Sequence, residues 1–309
     1  MNDIKKAAQI IRSGGLVAFP TETVYGLGAD ARNQSACLSI FRTKGRPSNN
    51  PLIVHVASIE AALSLAAFND DALLLIKFWP GPLSMVLPRK ADAQIADSVG
   101  AGLSTIAIRI PSDPIALQLI EESACPIAAP SANKSGGLSS TSYGHVKQNF
   151  ADEIFILESN GKSNYGLEST IIDLSTPTPT ILRYGFITPD VIEVALGKKV
   201  AIASKLSAIK APGMLHKHYS PHTNLRVNAT ELHVNEVGLN FADSKLDSHG
   251  ALNLSFSGDL TEAAANLFAY LHELDQFALS RDIKTIAVAP IPNQSIGLAI
   301  NDRLNRAAE

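Results

Sequence analysis

Cysteine is scarce in this sequence, with two residues, Cys37 and Cys125, in a chain of 309. The two form no CxxC motif, which excludes a disulfide framework and a cysteine-rich zinc module. We expect both to be small core residues in a reducing compartment. A chain of this length with 46% hydrophobic residues can bury a core without such crosslinks, and it is typical of about two domains.

Long apolar runs are also absent. No stretch approaches the roughly 18 apolar residues that a membrane-spanning helix needs. The first 15 residues, MNDIKKAAQIIRSGG, interrupt their apolar pairs with polar residues, which predicts an amphipathic helix rather than a signal peptide. We therefore expect a cytoplasmic protein without membrane contact.

Charge of one sign is not in large excess, because the formal net charge is −3. Residues 1–222 carry 20 basic and 18 acidic side chains, whereas residues 223–309 carry 6 and 11. This balance argues against a polycationic protein that binds nucleic acid over its whole surface, but it is compatible with a local basic cleft.

Short apolar runs predict buried strands at residues 16–19, 51–56, 84–87, 105–110, 127–129, 153–157 and 170–174. Helices are expected at residues 4–11, 59–67, 71–78 and 114–122. Strands mixed with helices at irregular spacing are typical of an α/β or α+β sheet rather than a strict βαβ repeat.

The pattern changes around residues 203–222. The end of this stretch, APGMLHKHYSPH, has no apolar period and predicts an ordered crossing loop or linker. Strands and helices then alternate, at residues 252–256, 260–274, 285–290 and 297–306. This alternation predicts a small α/β domain with a parallel sheet.

Residues that suit ligand binding cluster near the N-terminus. The segment Pro20–Gly28 exposes hydroxyls and backbone where an apolar strand ends, a favoured ligand position in open α/β sheets. The loop Lys44-Gly45-Arg46-Pro47 places two cations within three residues, and such a fork suits phosphate oxygens. Taken singly, the first segment has an ordinary strand-to-turn transition as its alternative, and a charged loop such as the second is usually a solvated surface. Together they predict an anion-binding pocket.

Two later segments repeat this design. Residues 130–137, PSANKSGG, follow a strand, and residues 166–170, GLEST, precede one. Small hydroxylated residues let the backbone approach a ligand closely, and the backbone N–H groups can then bind an anion. The alternative interpretation of both segments is a flexible surface loop. Arg109 lies inside an apolar strand, so its charge needs an anion from the fold or from a ligand. Arg183 raises the same question.

Three familiar motifs are incomplete. Gly26-Leu27-Gly28 lacks the third glycine of a dinucleotide fingerprint, and Gly161-Lys162-Ser163 lacks the earlier glycine of a P-loop. His216, His218 and His222 have no acidic or thiol partner nearby in the sequence, so we expect no metal site.

Taken together, the segments resemble the YrdC family in its two-domain form, the threonylcarbamoyl-AMP synthases. The resemblance runs in order through PTETVYGLG, KGRPSNNPLIVH, FWPGPLSMVL, STIAIRIP, APSANKSGGLSS, GLESTIIDL and ILRYG. The linker APGMLHKHYSP and the later stretches SGDLTEAAANLFAYLHELD and GLAINDRLNRAA extend it. It implies an α/β catalytic domain over residues 1–203, with a twisted mixed sheet and a large concave basic face. It also implies a linker over 204–222 that closes over the site and a small Rossmann-like α/β domain over 223–309.

The resemblance implies an enzyme that joins L-threonine, bicarbonate and ATP into threonylcarbamoyl-AMP and releases pyrophosphate. Mg2+ would accompany the ATP phosphates. A separate tRNA threonylcarbamoyl transferase would use the product, and any direct contact with tRNA would be weak.

The resemblance also implies the site residues. Around threonine it places Thr23, His55, Arg109, Ala129 and Ser169, with Arg109 facing the carboxylate. Around ATP it places Arg46, Asn50, Thr105, Ser131, Ser139, Arg183 and Tyr219. Lys44 and Arg46 would be the catalytic cations.

Two other functions remain alternatives. One is a carbamoyl-adenylate-forming enzyme of the hydrogenase-maturation type, which shares this domain but needs zinc modules that two cysteines cannot supply. The other is a non-catalytic RNA-binding module, against which the weak net charge and the lack of interleaved aromatic and basic residues argue.

Overall fold

The computed structural model describes residues 3–159, 161, 163–204, 211–212 and 218–309. Its strands are β1 (Val17–Phe19), β2 (Gly26–Asp30), β3 (Ile53–His55), β4 (Leu83–Pro88), β5 (Thr105–Arg109), β6 (Ile127–Ala128), β7 (Phe155–Ile156), β8 (Thr170–Asp173), β9 (Thr180–Arg183), β10 (Ala201–Ile202), β11 (Asn224–Arg226), β12 (Glu236–Asn240), β13 (Leu252–Asn253) and β14 (Thr285–Val288). Its α-helices are α1 (Asp3–Arg12), α2 (Gln34–Lys44), α3 (Ile59–Leu65), α4 (Asp70–Leu75), α5 (Asp97–Gly100), α6 (Pro114–Ser123), α7 (Tyr143–Phe150), α8 (Pro189–Leu196), α9 (Leu260–Ser280) and α10 (Gly297–Ala308).

Strands β1 to β10 form one sheet in the order β10-β9-β8-β4-β5-β3-β6-β2-β1-β7. Parallel and antiparallel neighbours are mixed: β3 runs parallel to β5 and antiparallel to β6, and β4 runs antiparallel to β5 and parallel to β8. The predicted α/β fold with a mixed sheet is therefore confirmed. The register of β3 and β5 pairs His55 with Arg109, so two predicted site residues become neighbours.

The two faces of this sheet are covered differently, because successive side chains of a strand point to opposite faces. One face packs against α2, α3, α4, α5, α7 and α8 in the main apolar core. On the other face, α1 and α6 cover the part around β1 and β6. Further along that face, Ile53, Ala107 and Ile171 form a small apolar cluster with Ala211 of the linker. The candidate site lies between these two covered parts.

Local sequence determines where α2 begins and ends. The Asn33 side chain caps the helix by accepting a hydrogen bond from the Ala36 N–H at 3.1 Å. Gly45 ends it in the left-handed region, with φ 63°, a conformation that glycine adopts without strain. Lys44 is thus the last helical residue rather than part of a loop, which corrects the sequence interpretation, and Arg46 follows the turn.

The sequence analysis predicts no strand at Gly26–Asp30, yet β2 forms there. Glycine disfavours strands by propensity, but here its missing side chain is required by packing. A Cβ on Gly28 would lie 2.7 Å from atoms of both Phe19 and Ile127. Close approach of neighbouring side chains therefore overrides local propensity. Other elements that the sequence analysis did not predict are α2, α5, α7, α8, β9, β10, β11 and β12.

Strands β11 to β14 form a second, smaller sheet in the order β11-β14-β12-β13. All of its neighbours are parallel, as predicted. Helices α9 and α10 bury their apolar faces in the core of this domain. Helix α9 extends to Ser280, beyond the predicted end at Leu274. No helix within the described ranges is long and apolar enough to cross a membrane.

We predict that Gly185→Ala destabilises the protein and distorts the strand that follows Ser169. A Cβ on Gly185 would lie 2.3 Å from the Thr170 nitrogen and 2.7 Å from the Glu168 carbonyl oxygen, and backbone atoms cannot move aside cheaply. The expected loss in the free energy of unfolding, measured by urea denaturation, is about 2 kcal/mol.

Gly144→Ala is the matched control, because its Cβ would meet Ser142 Oγ at an ordinary 3.8 Å inside α7. It should leave stability unchanged or raise it by about 0.5 kcal/mol. Equal stabilities of the two variants would contradict the packing argument.

Candidate active site

A narrow cavity of about 40 Å³ lies on the partly covered face of the larger sheet. It brings together all five residues predicted around threonine, Thr23, His55, Arg109, Ala129 and Ser169. It also includes four residues predicted around ATP, Arg46, Ser131, Arg183 and Tyr219. The other predicted residues, Lys44, Asn50, Thr105 and Ser139, do not line it.

The Arg109 guanidinium has its counter-ion within the fold. Nη2 lies 2.7 Å from Glu22 Oε1, and both side chains are about 95% buried. Nη1 donates to Thr23 Oγ1 at 3.0 Å, and Nε donates to the Gly81 carbonyl at 3.2 Å. Burial alone raises the pKa of Glu22, but Arg109 outweighs it, so the pKa is below its ordinary value. A guanidinium has five N–H groups, so Arg109 keeps donors for a ligand carboxylate.

The Thr21–Val24 segment folds into a hydroxyl-bonded turn. Thr21 Oγ1 lies 2.8 Å from Thr23 Oγ1 and donates to the Val24 carbonyl at 2.6 Å. The backbone N–H groups of Thr23 and Val24 approach the same hydroxyl at 3.2 Å. Thr23 is thereby held between this turn and Arg109, which explains why the chain needs hydroxyls directly after β1.

His55 is a neutral, buried imidazole beside the Arg109 cation. Burial, reinforced by Arg109, lowers the pKa of His55 to about 3. Its ring meets Phe19 edge-on at 6.1 Å, and Nδ1 has no hydrogen-bond partner among the described residues. A buried nitrogen without a partner is costly, so it is a candidate contact for a polar ligand group.

Arg46 and Arg183 have neutral hydrogen-bond partners. Arg46 donates to the carbonyls of Asn50 and Pro51 at 3.2 and 2.9 Å. Arg183 donates to the Ser169 carbonyl at 3.0 and 2.9 Å and to its hydroxyl at 3.1 Å. Burial, reinforced by Arg183, lowers the pKa of Arg46 to about 9. An anion bound between the two guanidiniums would relieve this cost.

Lys44 has a different place from the one predicted for a catalytic cation. Its Nζ donates to the Ser131 carbonyl at 2.6 Å and also to the Asn133 carbonyl. Burial, with Arg46 and Lys134 nearby, lowers its pKa well below the ordinary value. Lys44 thus holds the loop that carries Ser131 into the cavity, and its assignment as a catalytic cation stays a prediction.

Asn50 and Thr105 lie beyond the cavity. Asn50 is fully buried, and neither polar atom of its side chain has a partner in the described structure. Its carbonyl accepts from Arg46, so it lies next to the cation pair. Thr105 is on the same face of β5 as Arg109 but four residues away, a separation of about 13 Å.

Ser139 is buried behind the cavity wall. Its hydroxyl donates to Glu168 Oε1, and its carbonyl is 3.1 Å from His272 Nε2 of α9. Glu168 does line the cavity, and its other oxygen accepts from Arg303 Nε at 2.9 Å. Ser139 is thus connected to the cavity through Glu168.

The described part of the linker closes one side of the cavity. Pro212, His218 and Tyr219 line it. Tyr219 is 1% exposed, has a left-handed φ of 65°, and its hydroxyl has no partner among the described residues. A tyrosine is strained there, and the Ser220 N–H helps to hold it by donating to the Gly136 carbonyl at 2.8 Å.

Of the three linker histidines, His216 lies outside the described residues. Burial lowers the pKa of His218 to about 3. His222 Nδ1 pairs with Asp275 at 2.9 Å. No group of three histidine, cysteine or acidic residues within the described ranges could hold a metal.

Sequence reasoning missed the roles of Glu22, Glu168 and Arg303. All three lie inside motifs that the resemblance used, but a charge in a motif does not reveal its partner. The available signal was the lone acid in PTETVYG and in GLEST, each within a segment of small and apolar residues. Such acids are buried only when they are paired.

The fold and cavity define an α/β enzyme, and the described residues of the cavity wall carry three guanidiniums and one carboxylate, a balance that suits an anionic ligand. Residues 9–185 match the Sua5/YciO/YrdC family model, described as "Telomere recombination". Residues 187–309 match "Threonylcarbamoyl-AMP synthase, C-terminal domain". The chain therefore belongs to the threonylcarbamoyl-AMP synthase family, as the motifs suggested.

Individual relatives agree with this assignment. A threonylcarbamoyl-AMP synthase of Bacillus subtilis is 37% identical over 99% of this chain and 92% of its own length. The crystal structure of P. abyssi Sua5 complexed with L-threonine has a TM-score of 0.90 and 38% identity, covering 99% of this chain and 94% of that chain. HypF of T. kodakarensis, at 21% identity and a TM-score of 0.53 over 60% of this chain and 24% of its own, shares the fold alone.

The buried neutral histidines predict an acid-sensitive fold. Unfolded histidine has a pKa of about 6.5, so between pH 6.5 and 3 the unfolded chain binds protons that folded His55 does not. Its stabilising effect is complete above pH 6.5 and declines as the pH falls. When the pH falls from 7 to 5, the free energy of unfolding should decrease by about 2 kcal/mol less in His55→Gln than in the wild type. Urea denaturation at each pH measures this difference.

The exposed His249, stacked on Phe277, is the control. His249→Gln should follow the wild-type pH profile. A His55→Gln profile parallel to that of the wild type would show that His55 is not the titrating group.

Proposed function

We propose that this protein forms threonylcarbamoyl-AMP from L-threonine, bicarbonate and ATP in the cavity described above, with release of pyrophosphate. The observation that carries the proposal is the charge of the cavity wall: among the described residues, it carries the guanidiniums of Arg46, Arg109 and Arg183 and one carboxylate, that of Glu168. The buried guanidiniums of Arg46 and Arg183, whose partners are neutral, suit a chain of phosphates, and the remaining N–H groups of Arg109 suit a carboxylate.

On the threonine side, we assign the substrate carboxylate to Arg109. The Glu22 ion pair, Thr23 and Gly81 hold this guanidinium in place, so its remaining N–H groups have a defined direction. Neutral His55 and the small Ala129 would contact the part of threonine beyond its carboxylate. The Ser169 hydroxyl would form a hydrogen bond with a polar group of threonine.

On the ATP side, we assign the phosphates to Arg46 and Arg183. Lys44 holds the Ser131 backbone by donating to its carbonyl. Ser131 is small, so its hydroxyl would contact the phosphates closely. Buried Asn50 offers an unpaired amide beside Arg46. Thr105 lies at the far end of the same sheet face and would contact the nucleoside, with Ser139 and Tyr219 forming the wall on the side of the C-terminal domain.

The chemistry requires mainly positioning. The threonine amine attacks CO2 derived from bicarbonate and loses a proton, which gives a carbamate. A carbamate oxygen then attacks the α-phosphorus of ATP, and the bond to the β-phosphate oxygen breaks to release pyrophosphate. Fixed guanidiniums stabilise the charge that develops on the phosphates, and a closed cavity excludes water from the reactive product.

Mg2+ fits this site as part of the MgATP substrate. Both oxygens of Glu168 are engaged, by Ser139 and by Arg303, and Glu22 is paired with Arg109. The described wall therefore offers no spare carboxylate for a resident metal, whereas ATP phosphates bind Mg2+ themselves.

The linker must move during the cycle under this proposal. A space of about 40 Å³ holds a few water molecules but not a nucleotide, and Tyr219 forms part of its wall. Opening would admit the substrates, and closing would protect the adenylate.

The product would pass to a separate tRNA threonylcarbamoyl transferase in the cytoplasm, with at most weak contact between this enzyme and tRNA.

The proposal predicts threonine-dependent pyrophosphate release from MgATP and bicarbonate. The measurement is a coupled pyrophosphate assay with and without L-threonine, and L-alanine is the matched control substrate. Release that does not depend on threonine would overturn the proposed function.

Arg109→Ala should raise the threonine requirement far more than the ATP requirement. We expect the KM for threonine to rise by about tenfold or more, with the KM for ATP within about twofold, because the contacts of Arg109 are all on the threonine side, with Glu22, Thr23 and Gly81. Arg32→Ala is the control, since Arg32 pairs with Asp30 away from the cavity. Equal increases in both KM values would show that Arg109 is assigned to the wrong substrate.

A further inference from the structure

The C-terminal domain reaches the cavity wall through Arg303 of α10. The side chain is 1% exposed, and its Nε donates to Glu168 Oε2 at 2.9 Å. Its guanidinium also lies over the Tyr219 ring, 5.1 Å from the centroid. Glu168 and Tyr219 both line the cavity, so Arg303 contacts two of its wall residues from behind.

Glu168 is the one carboxylate among the described residues that line the cavity. Two cations lie near it: Arg303 is bonded to Glu168 itself and Arg183 to the next residue, Ser169. Both lower the pKa of Glu168 against the effect of burial. The hydrogen bond goes to Arg303, whereas Arg183 donates to the neutral Ser169 carbonyl. With Arg303 in place, the carboxylate is neutralised from outside the cavity and Arg183 keeps its charge for a ligand.

Arg303 is itself held firmly. Nη1 pairs with Asp302 at 2.7 Å, and Nη2 donates to the Tyr184 carbonyl at 2.7 Å. Tyr184 directly follows Arg183 at the end of β9, so the same cation fastens the strand that carries Arg183. A buried guanidinium with partners from both domains can fix their relative positions.

We propose that Arg303 is a positioning residue through which the C-terminal domain holds the Glu168 carboxylate away from Arg183, so that Arg183 remains available to the phosphates of ATP. This inference rests on the proposed function. It assigns the C-terminal domain an indirect part in nucleotide binding, in which Arg303 acts through Glu168 and Arg183 and does not itself contact ATP.

Removal of Arg303 should redirect the buried carboxylate. A buried carboxylate without its partner needs another cation, and Arg183 lines the same cavity and is bonded to the adjacent residue, Ser169. Their pairing would lower the positive charge that faces the phosphates. The threonine side should change little, because Arg109 is neutralised by Glu22 instead.

The test compares four variants of the full chain: Arg303→Met, Glu168→Gln, the double variant and Arg306→Ala. Arg306 is the matched control, because it lies on the same helix and pairs with Asp302 at 3.0 Å rather than with Glu168. Calorimetric titration gives the Kd for MgATP and, separately, the Kd for L-threonine. Thermal unfolding checks that each variant is folded.

We expect Arg303→Met to raise the Kd for MgATP by about tenfold or more, with the Kd for threonine within about twofold. Adding Glu168→Gln should restore the Kd for MgATP to within about threefold of the wild type, because the competing carboxylate is gone. Arg306→Ala should bind both ligands like the wild type.

Three results would overturn the inference. These are equal losses of MgATP and threonine affinity in folded Arg303→Met, a double variant that binds MgATP no better than Arg303→Met, and an Arg306→Ala loss as large as that of Arg303→Met. A purely structural role for Arg303 predicts the first two, because it offers no reason for rescue by Glu168→Gln.

If Arg303→Met does not fold, Glu168→Gln and the double variant decide the question. Without the carboxylate, Arg303 should be dispensable, so their Kd values for MgATP should agree within about threefold, and a tenfold difference would overturn the inference. The readout is binding, so it is independent of turnover. A wild type that binds MgATP without releasing pyrophosphate would contradict the proposed function alone, and one that does not bind MgATP would overturn both.

Discussion

The burial of cations around one end of the larger sheet is the constraint on which the rest of the structure depends. Five basic side chains are at least 92% buried there: Lys44, Arg46, Arg109, Arg183 and Arg303. The buried carboxylates that face them are Glu22 and Glu168. Removing a cation from water is costly unless it is paired and hydrogen-bonded, so nearly every loop near the site supplies a carbonyl, a hydroxyl or a carboxylate to one of these groups.

This arrangement separates the cations into two kinds. Arg109 and Arg303 have carboxylate partners and so are electrically compensated within the protein. Lys44, Arg46 and Arg183 have neutral partners, which fix their orientation without compensating their charge. Of these three, Arg46 and Arg183 line the cavity, and they are the pair that a phosphate chain would neutralise. Binding and folding therefore use the same groups, and the fold bears a cost that the substrate relieves.

Much of this could be predicted from the sequence. Motif order indicated the family, and the apolar runs indicated most strands of the larger sheet. All five residues predicted around threonine line the cavity, because they lie at or beside β1, β3, β5, β6 and β8. The contacts of Lys44 and Ser139 could not be predicted in this way. Lys44 is turned towards two backbone carbonyls, and Ser139 towards Glu168, contacts that bridge 87, 89 and 29 residues of sequence.

The sequence by itself determined the chemical types available: which cations, hydroxyls and glycines stand at the strand ends, and in what order. These follow from local pattern and propensity, which act over a few residues. Only the tertiary structure decided which charge neutralises which. The Glu168–Arg303 pair joins residues 135 apart in different domains, and no local pattern encodes such a contact. Electrostatic pairing depends on distance and burial in space, so the balance between compensated and free cations exists only in the folded chain.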